Sequence, residues 1–267
     1  MISQELQNQL RCKYNPDNSL LRKHQLKMLE ILSFVDDFCK QNNINYWLSS
    51  GTCLGAVRHH GFIPWDDDVD IEMMREDYDK FVKLFKETDQ FALQTYKNDK
   101  FYYTPFAKVR EKDSVIYDSL YKYKGVFIDV LCLEYSSRFC ALMTQYAHRL
   151  LLGNPYNRLK KEKNKTVFKV RSSLFRINKK LFYTFVPVVR LLSKITGKNK
   201  LRHTYGTDWV NNIRMESEIF PLIRVTFENK DYPVPGNYHA YLTRIYGDYM
   251  SIPPESELPQ LHVQYFE

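Results

Sequence analysis

Four aspartates stand within five positions in "GTCLGAVRHHGFIPWDDDVDI", the stretch from Gly51 to Ile71: Asp66, Asp67, Asp68 and Asp70. Like charges at this density repel, and a chain tolerates them on a solvated loop or around a cation. Most charge runs are solvated. Here Pro64 and Trp65 precede the run, and Val69 and Ile71 alternate with its last acid, so part of it is predicted to be buried. On a strand, Asp68 and Asp70 share one face and Val69 and Ile71 the other. Asp66 joins the first face if the strand starts early, and Asp67 points away.

Hard oxygen donors of this kind suit Mg2+ or Mn2+. An EF-hand is excluded, because Ile71 stands where that loop requires Gly and Asp77 where it requires Glu. Asp66, Asp67 and Asp70 also fit D-D-x-x-D, a spacing used for diphosphate chemistry on a helix, but Pro64 and the Val69/Ile71 alternation favour a strand. A lone acid, Asp129, interrupts the apolar strand "GVFIDVLCLE". It is either a further ligand or a strand-end residue capping a neighbouring loop. Upstream, "INYWLSSG" reads as a strand entering a tight turn at Gly51. Thr52 then opens a short helix that carries Arg58 and ends at Gly61. A glycine turn ahead of a helix N-terminus presents backbone N–H groups suited to phosphate. Joined to carboxylates at metal spacing on the next strand, it describes a site for a metal-bound di- or triphosphate, as in phosphoryl or nucleotidyl transfer.

Around this motif, Asp17, Asn18 and Ser19 offer caps for a helix from about 20 to 40, with Met28, Leu32, Val35 and Cys39 on one face. Glu76 and Asp77 open another helix, and "FYYTPFAKVR" reads as a strand carrying Lys108. Helix is favoured from 139 to 153 and from 166 to 195. In the second, Val167, Val170, Leu174, Ile177 and Leu181 step by three and four, with Phe168, Phe175 and Phe182 beside them. The tail reads as a hairpin around Glu228, Asn229 and Lys230, then a helix and a turn at Tyr246-Gly247-Asp248-Tyr249.

The net charge of +8 is unevenly spread. From Arg158 to Arg202 there are 15 Lys/Arg and one acid, Glu162, which leaves a mildly acidic body elsewhere. A basic helical segment with an aliphatic and aromatic stripe reads as a solvated surface, a membrane-surface helix or a site for an anionic glycan. No RNA or DNA module is recognisable, so nucleic acid is not expected as a partner. The five cysteines are odd in number, with no C-x-x-C, as expected of a reduced, cytoplasmic setting. The start of the chain has no apolar h-region of a signal peptide. The longest apolar run, "LFYTFVPVVRLL", is shorter than the ~20 residues that span a bilayer.

A small glycine turn followed by D-h-D on the next strand resembles the nucleotidyltransferase (polymerase β-like) fold. The resemblance narrows with "MREDYDKF", "GVFIDVLCLE" and "YPVPGNYHAYLTRIYGDYMSIPP", which together with the Gly51–Ile71 stretch resemble the LicD family of phosphocholine transferases, to which the fukutin group is related. It runs from roughly residue 20 to 254, outside the basic segment. The fold it implies is α+β: a nucleotidyltransferase core with a mixed sheet and flanking helices, forming one catalytic domain over 1–267 with a basic, helical insertion over 154–205. The activity it implies is transfer of a phospho-alcohol, typically phosphocholine from CDP-choline, to a sugar hydroxyl of a cell-surface glycan such as lipopolysaccharide or teichoic acid, with release of CMP. Relatives use CDP-ribitol. On this resemblance Asp68, Asp70 and Asp129 hold the metal, Mg2+ or Mn2+, and Asp66 belongs to the same catalytic motif. Gly51 and Thr52 face the donor phosphates, and Arg58, Trp65, Lys108, Tyr246 and Asp248 complete the substrate-binding set.

Some roles stay open. Lys108 either neutralises phosphate oxygens or is a solvent-facing strand lysine. Asp66 or Asp67 serves as general base. Relatives carry a second acid after the "FID" strand in a "FPLD"-like stretch, and here "VLCLE" offers Glu134. The expected location is the cytoplasm, with peripheral attachment to the inner face of the membrane if the basic segment binds lipid. Two further classes compete: a nucleotide-sugar glycosyltransferase using D-x-D, and a basic membrane- or nucleic-acid-binding protein on a retired transferase scaffold. About 65 residues precede the motif, too few for the nucleotide-binding half that the first expects, and the retained acids argue against the second.

Overall fold

The computed structural model describes residues 2–116, 119–195 and 199–258. Two helices open the chain, α1 (Gln4–Tyr14) and α2 (Leu20–Gln41), each capped by the hydroxyl of the serine before it, Ser3 or Ser19. α2 turns Met28, Ile31, Leu32, Val35 and Cys39 into the core, the 3.6-residue period read from the sequence. The order then continues with β1 (Trp47–Leu48), α3 (Ser50–Leu54), a π-helical turn (Gly55–His59), β2 (Asp70–Met74), α4 (Arg75–Leu84), β3 (Phe91–Gln94), β4 (Ala107–Glu111) and β5 (Phe127–Ser137). Helix α5 (Arg138–His148), a second π turn (Arg149–Gly153), α6 (Asn154–Lys160) and α7 (Lys165–Ile195) follow. The chain closes with β6 (Asn199–His203), α8 (Glu216–Ile219), the hairpin β7 (Ile223–Phe227) and β8 (Lys230–Val234), and α9 (Tyr238–Tyr246).

The main sheet runs β1-β2-β5-β4-β3, with β6 pairing the far half of β5. Only β2 and β5 are parallel, so the sheet is mixed. This is an α+β architecture. Strand β6 lies inside the segment expected to be helical: Leu133 pairs with His203 and Ser137 with Asn199, so the end of the basic stretch is built into the sheet. One core cluster gathers Met28, Ile31, Leu32 and Val35 of α2 with Ile71, Met73, Ile128 and Val130 of the sheet, and extends to Trp47 on the Glu72 side of β1. Phe175, Phe182, Leu152 and Leu159 form a second, smaller cluster beneath α7.

One buried acid knits these parts together. Glu72 lies two residues beyond Asp70 on β2 and is fully buried. It accepts from Trp47 Nε1 at 2.9 Å and Tyr241 Oη at 3.1 Å, and pairs with Arg214 at 2.9 Å and His203 at 3.0 Å. Burial would raise its carboxyl pKa, but Arg214 and His203 outweigh burial and hold it well below the ordinary range. Strands β1, β2 and β6, the Arg214 loop and α9 therefore meet at one carboxylate. Glu72→Ala leaves Arg214 buried without its counter-charge and should cost about 3–5 kcal/mol. Urea denaturation checks this; a loss below about 1 kcal/mol would show that the network is dispensable.

Candidate active site

The sheet register assembles the acids. Asp70 is the first residue of β2 and faces Asp129 across the parallel pairing with β5. Asp129 in turn faces Lys108 on β4. Strand β1 pairs antiparallel to β2, Leu48 opposite Ile71, which places the Ser49–Gly51 turn beside Asp70; Ser49 N–H donates to the Asp70 carbonyl at 3.0 Å. Since β2 begins at Asp70, Asp66 and Asp68 reach the cluster from the irregular segment before it rather than by strand alternation. Two side chains of α2 hold that segment by its carbonyls. Gln25 Nε2 donates to Asp66 O at 2.8 Å, and His24 Nε2 lies 3.0 Å from Asp67 O. Asp67 is buried, and its charge acts on both His24 and Asp66.

The remaining acids press on one another. Burial, followed by Asp68 and Asp67, raises the Asp66 carboxyl well above the ordinary range. Burial, Asp68 and Asp129 do the same to Asp70, against the opposing charge of Lys108. Lys108 is not solvent-facing: its ammonium is ion-paired with Asp129 Oδ1 and sits 3.5 Å from the centre of the Phe127 ring. Burial lowers the Lys108 pKa, while Asp129 works in the other direction. Tyr246 faces the same group, and burial together with Asp66 and Asp70 raises its phenol pKa.

A cavity of about 580 Å³ opens beside the cluster, within the range of ligand sites. Gly51, Arg58, Trp65, Asp66, Tyr246 and Asp248 line it, with Tyr249 and the Ser251–Pro254 segment. Gly51 is needed for close approach: a Cβ there would meet Asp66 Oδ2 at 3.1 Å. In the tight turn expected at Gly51 the left-handed residue is Ser50 (φ 45°), and at the helix end expected at Gly61 it is His60 (φ 55°). A smaller cavity of about 200 Å³ beneath α7, at Arg75, Tyr96 and Arg190, is lined by none of the four clustered acids.

Several expected site residues hold the frame. The Thr52 hydroxyl, expected near phosphate, accepts from Asp70 N–H at 2.9 Å and pins the turn to β2. Arg58 is buried, and Nη1 donates to the carbonyls of Tyr249 at 2.8 Å and Ser251 at 2.9 Å. Its Nε donates to His59 Nε2 at 2.9 Å. Its charge borders the cavity, but its donors fix the C-terminal wall. Glu134 pairs with Arg75 and Arg190 and ties α4 and α7 to β5. Of the other aromatics, Trp47 and Tyr102 are fully buried, and Tyr103 packs against His148, Tyr156 and Phe175 in the α7 cluster. Tyr241, unremarked in the sequence, bridges Glu72 to Ser49 at 3.2 Å, and Arg214 reaches Ser50 Oγ at 3.3 Å. The available signal was Glu72, a second acid on the Asp70 face of a strand whose other residues, Ile71, Met73 and Met74, are apolar.

The lipopolysaccharide cholinephosphotransferase LicD of Haemophilus influenzae is 30% identical to this chain over 261 residues, spanning 91% of the chain and 96% of that protein. The chain belongs to the LicD family. The family's domain description, "LicD/FKTN/FKRP, nucleotidyltransferase domain", matches residues 43–149, which contain the glycine turn, all four clustered acids and Lys108. Shorter matches link this LicD-family chain to the mouse ribitol-5-phosphate transferase FKTN (30% over 80 residues, 26% of the chain and 17% of that protein). The human ribitol 5-phosphate transferase FKRP matches at 42% over 48 residues, 18% of the chain and 10% of that protein.

Asp66 and Asp70 bind protons more tightly in the folded chain than in the unfolded one. Their cost to stability is therefore present at neutral pH and relieved as pH falls through their folded pKa values towards about 4. Without divalent metal, Asp70→Asn should be more stable than wild type by about 1 kcal/mol at pH 7.5. The gap should shrink on acidification. Thermal melts from pH 7.5 to 4.5 test this, and a variant less stable than wild type throughout would mean that the cluster is not under electrostatic strain.

Proposed function

We propose that this chain is a metal-dependent phosphotransferase that moves phosphocholine from CDP-choline to a sugar hydroxyl of a cell-surface glycan, releasing CMP. The observation that carries this reading is the convergence of Asp66, Asp68, Asp70 and Asp129 beside a cavity that Asp66 lines, in a LicD-family chain. A nucleotidyltransferase-type core is part of the same reading. It is supported by Asp70 and Asp129 on adjacent parallel strands with a glycine turn beside the first. One catalytic domain over 1–267, with the basic stretch as an elaboration of it, and a cytoplasmic location belong to the same proposal.

The donor set fits Mg2+ or Mn2+ in chemistry: hard carboxylate oxygens that repel one another, with Lys108 opposing that repulsion at Asp70. Among the described residues, no three such ligands already stand at metal-holding geometry. Asp129 is engaged by Lys108, and Asp68 and Asp70 repel. Asp68 and Asp70 would hold the ion, and Asp129 would join them as Lys108 turns to a phosphate oxygen. When bound, the ion would neutralise the donor diphosphate and the departing CMP.

The chain's own residues supply the rest. The acceptor hydroxyl attacks the phosphorus that bears the alcohol; an O–P bond forms as the P–O bond to CMP breaks, and the hydroxyl proton passes to Asp66. Burial and its neighbours give Asp66 a high proton affinity, and it lines the cavity, whereas Asp67 is buried and is not among the lining residues. Lys108 neutralises non-bridging oxygens. Trp65, Tyr246 and Tyr249, with Asp248, line the cavity. Aromatic faces beside a carboxylate suit a quaternary ammonium, which favours choline over a polyol such as ribitol.

The test is CMP release with Mg2+, a lipopolysaccharide acceptor, and CDP-choline, CDP-ribitol or a nucleotide sugar. CMP should form from CDP-choline, stop with EDTA, and fall at least about a hundredfold in Asp66→Asn and Asp70→Asn. Release from CDP-ribitol alone would reassign the donor. Turnover of the nucleotide sugar alone would overturn the phosphotransfer reading.

A further inference from the structure

Helix α7 carries two apolar stripes, and the structure commits one of them. Phe175, Phe182, Val186 and Val189 are buried in the cluster beneath it. Polar ties fix this rotation. The ammonium of Lys179 donates to the carbonyls of Asp99 at 2.7 Å and Tyr102 at 3.2 Å, Arg190 pairs with Glu134, and Ser193 Oγ accepts from Ser137 N–H at 2.7 Å. The other stripe must then face outward. Val170, Leu174, Ile177, Leu181, Val188 and Leu192 are each 47–60% exposed. Their spacing of three and four continues for most of a 31-residue helix about 46 Å long. Helix α5 packs on α7 and adds an exposed row of its own: Phe139, Leu142 and Tyr146. A continuous apolar surface of this length exceeds what a soluble monomer ordinarily leaves in water.

The charge beside it identifies the occupant. Lys169, Arg176, Lys180 and Lys194 are exposed and occupy the helix face next to the outward stripe. Arg158, Lys160, Lys161, Lys163 and Lys165 lead into its N-terminus and are also exposed. The only acid from Arg158 to Arg202 is Glu162, which is engaged by Arg171. A second copy of the chain on this stripe would bring two such basic rows together. A nucleic acid would leave the aliphatic row uncovered. Among the described residues, no helix is long and apolar enough to cross a membrane.

We infer that the outer face of α7 is a docking surface for an anionic lipid bilayer, with the helix lying in the interface, its aliphatic row among the acyl chains and its lysines and arginines on the headgroups. This does not depend on the transfer reading, since it rests on the burial and charge of α7 alone.

Flotation of the full-length protein tests it, with vesicles of phosphatidylcholine alone and of equal parts phosphatidylcholine and phosphatidylglycerol. Wild type should float with the anionic vesicles and remain behind with the neutral ones. The triple variant L174Q/I177Q/L181Q should bind about tenfold more weakly with an unchanged melting curve, because all three side chains are already exposed. K169Q/R176Q/K180Q should weaken binding at low salt and flatten its salt dependence. Wild type that ignores anionic vesicles would overturn the inference. So would a concentration-dependent dimer in sedimentation that L174Q/I177Q/L181Q abolishes, because the stripe would then belong to a second copy.

Discussion

Asp66, Asp68, Asp70 and Asp129 repel one another from two strands and the segment that leads into one of them, and the surrounding chain holds them there. The restraints are mostly on the backbone. Gln25 grips the Asp66 carbonyl, the Thr52 hydroxyl takes the Asp70 amide, and Ser49 donates to the Asp70 carbonyl. Among the side chains, Asp129 is ion-paired with Lys108, and Asp66 shares a hydrogen bond with Asp68.

The same economy runs outward. Glu72 engages Arg214 and His203 one strand-repeat away from Asp70, so the Arg214 charge is occupied before it reaches the acids. Tyr241 carries that network to Ser49 and couples α9 to the glycine turn. Arg58 fixes the Tyr249–Ser251 stretch by its carbonyls and shapes the far wall of the cavity. Positive charge near the site is thus spent on scaffolding, with Lys108 as the cation directed at the clustered carboxylates among the described residues.

What was legible in the sequence follows from local rules. Helix α2 was visible because one face repeats every 3.6 residues, and β2 because Val69 and Ile71 alternate with Asp70. Asp129 stood out as an acid in an apolar strand, and pairing then set it opposite Asp70. Other features depend on distant partners and were not legible. Nothing near Arg58 in the chain says that its donors serve carbonyls about 190 positions away. Periodicity could not choose between the phenylalanine and aliphatic stripes of α7, because both repeat at helical spacing; Lys179, Arg190 and Ser193 decide it. Strand β6 was hidden in a basic stretch of helical character because its pairing with β5 is a tertiary choice.

The central claim is that Asp68, Asp70 and Asp129 hold a divalent ion against a donor diphosphate. It is tested most directly by 31P relaxation of CDP-choline in the presence of protein and substoichiometric Mn2+, which reports whether the ion and both phosphates share one site. The account predicts strong paramagnetic relaxation of both phosphorus signals with wild type, lost in Asp70→Asn. Phosphorus signals relaxed no more by wild type than by Asp70→Asn would contradict it.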